Sequence, residues 1–214
     1  MSSTWNKPAG LPVFPPHADP RGPCVLGTLH AAQPWRREIA WPEGFEGGIA
    51  HRLDTSTSGA LLLADDVDEL QAIREAFATG ALTKRYRLRA ARDVPWDEHA
   101  CDAPLAHDRR HRGRMVVQRG RSTPHRGRWY EAHTRFRRVH GDLWEAEITT
   151  GVMHQIRVHA AYVGLPLRGD RRYGGGAPAP DAPPGVDFQL HHVGLEGAGL
   201  RTDPVPAPAW AELS

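Results

Sequence analysis

The sequence predicts an α+β fold. Three observations carry that reading: a short apolar run at 57–64 (TSGALLLA) leading into a helix signal, a strand–turn–strand pattern around His140-Gly141-Asp142, and a separate helical segment at 154–163. Strands joined by hairpins and mixed with helices argue against a doubly wound parallel sheet, in which strands and helices alternate regularly.

Each element has its own local reason. Residues 57–64 enter through a Ser/Gly turn and read as a short buried strand. Asp65 or Asp66 then caps a helix running to Ala78. Leu70, Ile73, Ala76 and Phe77 fall on one face of that helix, and Gly80 lies just past its end. The segment LTKRYRLRAA, 82–91, alternates loosely and suits a strand. Residues 128–150 read as two strands joined at His140-Gly141-Asp142. HQIRVHAAYV, 154–163, suits a helix closed by Gly164, with Ile156, Ala160 and Val163 facing inward. Prolines and glycines cluster at 8–23 and 174–185 and mark loops there.

Composition sets the outer bounds. The chain has 214 residues, 40% hydrophobic and 24% charged, the profile of a globular domain rather than a disordered chain. No window approaches the roughly 20 apolar residues of a membrane span, and the N-terminus lacks the apolar stretch of a signal peptide. Cys24 and Cys101 are far apart and in no metal-type spacing. A reduced thiol pair and a cytoplasmic location are therefore expected.

The net charge of +2 conceals an asymmetry. Residues 84–140 hold 16 Lys and Arg against 6 Asp and Glu, whereas the remainder holds 11 against 19. Arginine dominates, since Lys7 and Lys84 are the two lysines. Guanidinium forks suit phosphate oxygens and stack on bases, so the block reads either as a nucleic-acid face or as a solvated Arg-rich surface. Its densest part, residues 107–128, contains Arg110, Arg112 and Arg114 and is expected to be a basic loop or hairpin lying along a phosphate backbone. Trp129 and Tyr130 fit strand core, with base stacking as the alternative.

One carboxylate stands out. In GGIAHRLDTSTSGALLLADD, 47–66, Asp54 sits between a small-residue approach and a Ser/Thr/Gly run. By itself it reads as a turn aspartate or as a nucleophile. The histidines do not make a metal site, because His154 and His159 are five apart, off the i, i+4 spacing that puts two ligands on one helix face. No glycine-rich phosphate loop precedes a helix.

Four segments, NKPAG at 6–10, HRLDTSTSG at 51–59, TKRY at 83–86 and HQIRVHAAYVGLPLRGDRRYG at 154–174, together resemble the RluA-type family of RNA pseudouridine synthases. The resemblance extends to the QLHHVGLEG and DPVPAPAW segments. It implies a largely antiparallel mixed central sheet flanked by helices and loops, with residues 1–214 forming one catalytic domain and no separate N-terminal RNA-binding domain. It also implies isomerisation of a uridine already in ribosomal or transfer RNA, with no cofactor and no metal, by a protein that acts as a monomer. Asp54 matches the catalytic aspartate and Arg157 the arginine that pairs with it, a cation that favours the ionised carboxylate. Tyr86 matches the tyrosine that stacks on uracil, and Lys84 lies two residues before it, on the same face of an extended strand. Arg52 takes the base-flipping position, where a guanidinium fills the space an extruded base leaves. His154, three residues from Arg157, would serve the same cleft.

The match weakens at Gly151-Val152-Met153, where the family commonly has Gly-Arg-Thr, and Gly164-Leu165-Pro166 replaces Gly-His-Pro. Two other readings use the same residues: a catalytically silent RNA-binding module on this fold, and a glycosidase that leaves the base detached.

Overall fold

A computed structural model describes residues 2–178 and 182–212. Its main sheet has eight strands and its second sheet three. The apolar run gives β2, Ser58–Leu63, which pairs antiparallel with the edge strand β1, Ser3–Lys7. Alternation along β2 sends Leu61 and Leu63 into one apolar cluster and Leu62 and Ala64 into another, so the strand is covered on both faces.

Helix α2, Val67–Ala78, starts where the sequence placed it, with Asp66 rather than Asp65 as its cap. The Asp66 carboxylate accepts from Glu69 N–H at 2.8 Å, and the Glu69 carboxylate accepts from Asp65 N–H at 2.8 Å, a reciprocal arrangement at the helix start. Leu70, Ile73 and Ala76 bury the apolar face against Leu62 and Leu195. An earlier helix, α1 (Val25–Ala32), is capped by the Cys24 thiol and lies beside the proline-rich stretch, where the sequence suggested loops. Cys24 and Cys101 are both buried free thiols.

Strand β3, Thr83–Arg89, alternates as expected, with Lys84, Tyr86 and Leu88 on its buried face. The expected hairpin is β8, Thr134–His140, and β9, Leu143–Ile148, turning through Gly141 at a φ of 53°. Its first strand begins later than the sequence suggested. Residues 128–130 belong to β7, His125–Tyr130, of the second sheet, and the chain changes sheets through Ala132, which is fully buried. The segment 107–128, expected as a basic loop or hairpin, contributes to that second sheet, built from β5 (Leu105–Asp108), β6 (Met115–Val117) and β7 in the order β6-β5-β7.

The main sheet is completed by β4, Glu98–Cys101, at the edge beyond β8, and by β10, Leu190–Gly197. The order is β1-β2-β10-β3-β9-β8-β4, with the short β11, Leu200–Arg201, paired to β10. The β10–β2 pairing is parallel and the others are antiparallel. Gly59 makes the parallel contact possible: its φ is +119°, and a Cβ there would overlap the His192 carbonyl. No helix among the described residues is long and apolar enough to cross a membrane.

Helix α3, Gln155–Tyr162, is entered through His154, which the sequence placed inside the helix. His154 instead stands just before it in the left-handed region, φ 55° and ψ 19°. Gln155 through Ala160 are all buried, so the helix has no simple apolar stripe. Its polar side chains are satisfied within the protein. Gln155 accepts from Thr150 Oγ1 and Val152 N–H and donates to His133 O and Thr134 Oγ1, while His159 bonds Thr134 Oγ1 and Ala103 O.

Candidate active site

The loop of residues 51–57 is held from below by Lys7. This lysine, fully buried, donates to the carbonyls of Pro8, Thr55 and Thr57 at 2.9, 2.9 and 2.6 Å. Asp54 O accepts from Thr57 N–H at 3.0 Å, and Thr55 O accepts from Gly10 N–H at 2.9 Å. Ser56 Oγ donates to Gly185 O and accepts from Asp187 N–H. With the backbone tied at these points, the Asp54 side chain projects into a cleft of about 1090 Å³.

Asp54 Oδ2 accepts from Arg157 Nη1 at 3.0 Å. The rest of the Arg157 fork is taken by Asp170, with Nε to Oδ2 at 2.6 Å and Nη2 to Oδ1 at 3.0 Å. One guanidinium thus joins two carboxylates, and its plane lies over Phe188, 4.1 Å from the ring centre, and near Tyr173, 5.1 Å away. The pair is deeply placed, with side-chain exposures of 8% for Arg157 and 2% for Asp170, against 28% for Asp54. Burial disfavours the charged guanidinium. The hydrogen bonds and charge of Asp170, joined by Asp54, outweigh that penalty and raise its pKa above the ordinary arginine value. Among the described residues, no hydrogen bond is made to Asp54 Oδ1, the oxygen left for a ligand.

Tyr86, Phe77 and Lys84 complete the cleft wall. Tyr86 is 6% exposed and stacks at 4.6 Å between ring centres on His192, its cross-strand neighbour on β10. Burial, reinforced by the Asp54 charge, raises its phenol pKa far above the usual value, so the hydroxyl keeps its proton. Lys84 makes no hydrogen bond or ion pair among the described residues, and its ammonium lies 5.0 Å from the Phe77 ring centre. Burial alone lowers its pKa to about 8. Burial also lowers Lys7 to about 8, against the pull of Asp54.

His154 adds an uncharged partner. Burial lowers its pKa to about 4 despite the nearby Asp54 carboxylate, so it is neutral at pH 7. The Tyr173 hydroxyl accepts from Met115 N–H at 2.9 Å and lies 2.9 Å from His154 Nδ1. The other ring nitrogen, Nε2, lies 3.9 Å from Asp54 Oδ2. Through this chain of contacts the β5–β6 hairpin is bonded to the edge of the cleft. The other buried histidines serve the fold: His191 Nδ1 meets Ser58 Oγ at 2.9 Å, and His192 Nδ1 donates to Ala60 O at 2.5 Å.

Six of the residues singled out in the sequence, Asp54, Arg52, Tyr86, Lys84, His154 and Arg157, line this one cleft. Arg52 is exposed at its mouth. Arg110, Arg112 and Arg114 are outside the lining. The first two are exposed on the turn between β5 and β6, while Arg114 is half-buried with its guanidinium 5.6 Å from the Tyr173 ring centre. Sequence reading missed Asp170 and Tyr173 as parts of the site, although both lie in the GLPLRGDRRYG stretch, and it left Lys7 of NKPAG without a role. An acidic residue just after a glycine in that stretch was the available signal for Asp170.

The sequence profile of the RNA pseudouridylate synthase family matches residues 3–162. A Chloroflexus aurantiacus protein named "Uncharacterized RNA pseudouridine synthase" is 36% identical over 171 residues, which cover 79% of this chain and 51% of that protein. A Xylella fastidiosa protein named "Ribosomal large subunit pseudouridine synthase D" is 33% identical over 178 residues, 82% of this chain and 50% of its own length. The chain thus spans about half the length of the curated relatives it matches. In fold it is similar to the human RNA pseudouridylate synthase domain containing 1, with a TM-score of 0.71 at 21% identity, covering 97% of this chain and 79% of that one. It is also similar to the human domain containing 4, with a TM-score of 0.68 at 24% identity, covering 98% and 87% respectively. An arginine shared between two carboxylates at the floor of the cleft, a profile match over three quarters of the chain and the same fold in solved structures agree: this chain belongs to the RluA-type family of RNA pseudouridine synthases.

Proposed function

We propose that this chain converts uridine in ribosomal or transfer RNA to pseudouridine, with Asp54 as the catalytic carboxylate. The observation that carries the reading is the Arg157 fork. It holds Asp54 through a single hydrogen bond to Oδ2, and Asp54 lines a cleft whose wall also holds Tyr86. In the reaction the N1–C1′ bond of the nucleotide breaks, the uracil turns, and C5 bonds to C1′. The C5 proton is lost and N1 regains one, so the atoms balance without redox change. Asp54 assists bond breaking as a nucleophile or a base and then departs. Tyr86, protonated and set at the wall, stacks on the uracil. Arg52, exposed at the mouth, takes the place of the extruded base, offsetting an unstacking cost of a few kcal/mol. Lys84 and His154 contact the bound nucleotide. The arginines of the β5–β6 turn, Arg110 and Arg112 with Arg114 at its base, meet backbone phosphates. The reaction uses no cofactor or metal and takes place in the cytoplasm.

The test is pseudouridine mapping of total RNA from cells with and without the protein, repeated with Asp54→Asn. Wild type should restore at least one pseudouridine that the variant does not. If wild type restores no pseudouridine that the variant lacks, the enzyme reading fails. Mass separates the glycosidase reading, because isomerisation leaves the RNA mass unchanged and base loss does not.

A further inference from the structure

A second groove, about 900 Å³, runs beside the cleft. It lies between β7 and the residues that follow α2 and β9, and it shares Phe77 and the 149–153 loop with the cleft, so the two are continuous. Its walls differ from those of the cleft. Trp129 and Tyr130 on β7 are half-buried, and Arg128 is exposed beside them with its guanidinium 4.8 Å from the Tyr130 ring centre. The His125 ring stacks on Trp129 at 4.3 Å with an interplanar angle of 35°, which limits the freedom of the indole. Met153 forms the shared edge, and at 37% it is one of the few large apolar residues left exposed. It stands at the Val152-Met153 pair where the family resemblance is weakest.

Aromatic rings, a polarisable thioether and one arginine suit a nucleobase with its phosphate. Glu131 lines the same groove, but the chain from 84 to 140 carries ten more positive than negative charges and sets the sign of the surroundings. A uridine drawn out of the stack also leaves its neighbours without a stacking partner. A surface next to the cleft that offers one is sequence-tolerant, because every base has a π-face. Resting on the isomerase reading above, we propose that this groove seats an unstacked nucleotide adjacent to the target uridine. Trp129 stacks on its base, Met153 supports the base from the cleft side, and Arg128 meets its phosphate.

Two measurements test the groove. In the first, a short mixed-sequence single-stranded RNA containing photoreactive thiouridines is crosslinked to the wild-type protein and the attached peptides are sequenced. Crosslinks at Trp129 or Met153 support the groove, and crosslinks confined to other surfaces overturn it. In the second, the binding of the same RNA is compared across variants. Trp129→Ala weakens it about tenfold and Trp129→Phe recovers most of the loss, in keeping with the usual contribution of one stacked base. On the RNA identified by mapping, Trp129→Ala raises KM and leaves kcat unchanged. Equal binding by Trp129→Ala and wild type refutes the stacking role, and if that variant does not fold the wild-type crosslinks decide. Pseudouridine formation and groove crosslinking, read side by side, separate the two claims. If wild type forms no pseudouridine while the groove still crosslinks, the isomerase reading has failed. If pseudouridine forms and the groove neither crosslinks nor responds to Trp129→Ala, the groove inference has failed.

Discussion

Replacing Asp170 by alanine removes both long arms of the Arg157 fork, the hydrogen bonds of 2.6 and 3.0 Å, while Asp54 keeps its single bond at 3.0 Å. The guanidinium is 8% exposed and cannot recover the loss from water. Breaking a buried pair from one side typically costs about 3–5 kcal/mol, because the remaining charge stays desolvated. In a domain of this size each kcal/mol lowers Tm by roughly 2–4 °C, so the expected drop is on the order of 6–20 °C. Asp170→Asn retains one acceptor for the guanidinium and should lose about half as much. The functional effect is separate from stability. Once Arg157 is free to turn, Asp54 loses its fixed orientation, so under the proposed function kcat for pseudouridine formation should fall while RNA affinity, assigned there to the surface arginines, stays close to wild type. Chemical denaturation gives the first quantity, and single-turnover pseudouridine formation with filter binding gives the others. An Asp170→Asn protein with wild-type stability and wild-type kcat would refute the shared-fork argument.

Four further outcomes follow from the same geometry. Lys84, lowered from 10.5 to about 8, disfavours the folded state below pH 8, and that penalty is relieved as pH rises towards 10.5, where the unfolded chain still binds the proton and the folded chain does not. Lys84→Met should therefore stabilise the protein at pH 7 by up to about 3 kcal/mol, flatten the rise of stability between pH 8 and 10, and weaken RNA binding; denaturation at several pH values reads the first two. Tyr173→Phe leaves the buried Met115 N–H without its acceptor, so it should cost about 1–3 kcal/mol and speed hydrogen exchange at Met115. Changing both Arg110 and Arg112 to Ala should lower RNA affinity and reduce the slope of log K against log salt by roughly 2, with Tm unchanged because both side chains are exposed; Arg114→Ala should also lower Tm, since its guanidinium lies near the Tyr173 ring.

Much of the frame was legible in the residues. Helix α2 had a capping aspartate, an apolar stripe and a terminal glycine, and β3 alternated, so local chemistry and tertiary packing agreed. Elements whose burial depends on distant partners escaped notice. Strand β10 reads Leu-His-His-Val-Gly-Leu-Glu-Gly, without alternation, and its two histidines are buried with their Nδ1 atoms paired to Ser58 and Ala60 of β2. Residues 128–130 looked continuous with β8, and the change of sheet at Ala132 becomes visible once Tyr130 is seen opposite Leu105. In the cleft, Asp54 was singled out through its motif. The partner that locks Arg157 was not, because the Arg157–Asp170 contact bridges 13 residues and depends on the turn at Gly169, φ +87°. His154 was placed on a helical face, whereas its position near Asp54 depends on a left-handed backbone that no side-chain periodicity encodes.

The place of β10 has a consequence for how the protein is made. Strand β2 follows the Asp54 loop and β3 carries Lys84 and Tyr86, but these strands are not neighbours, and β10 is the strand that joins them. While a ribosome is still translating the segment before Leu190, the nascent chain holds β1-β2 and the β3-β9-β8-β4 group as two unjoined pieces, with no cleft between them. The sheet that carries the cleft is therefore joined only once residues 190–197 have been made. A messenger truncated before that strand would yield a chain whose β2 and β3 edges stay open, a target for proteolysis.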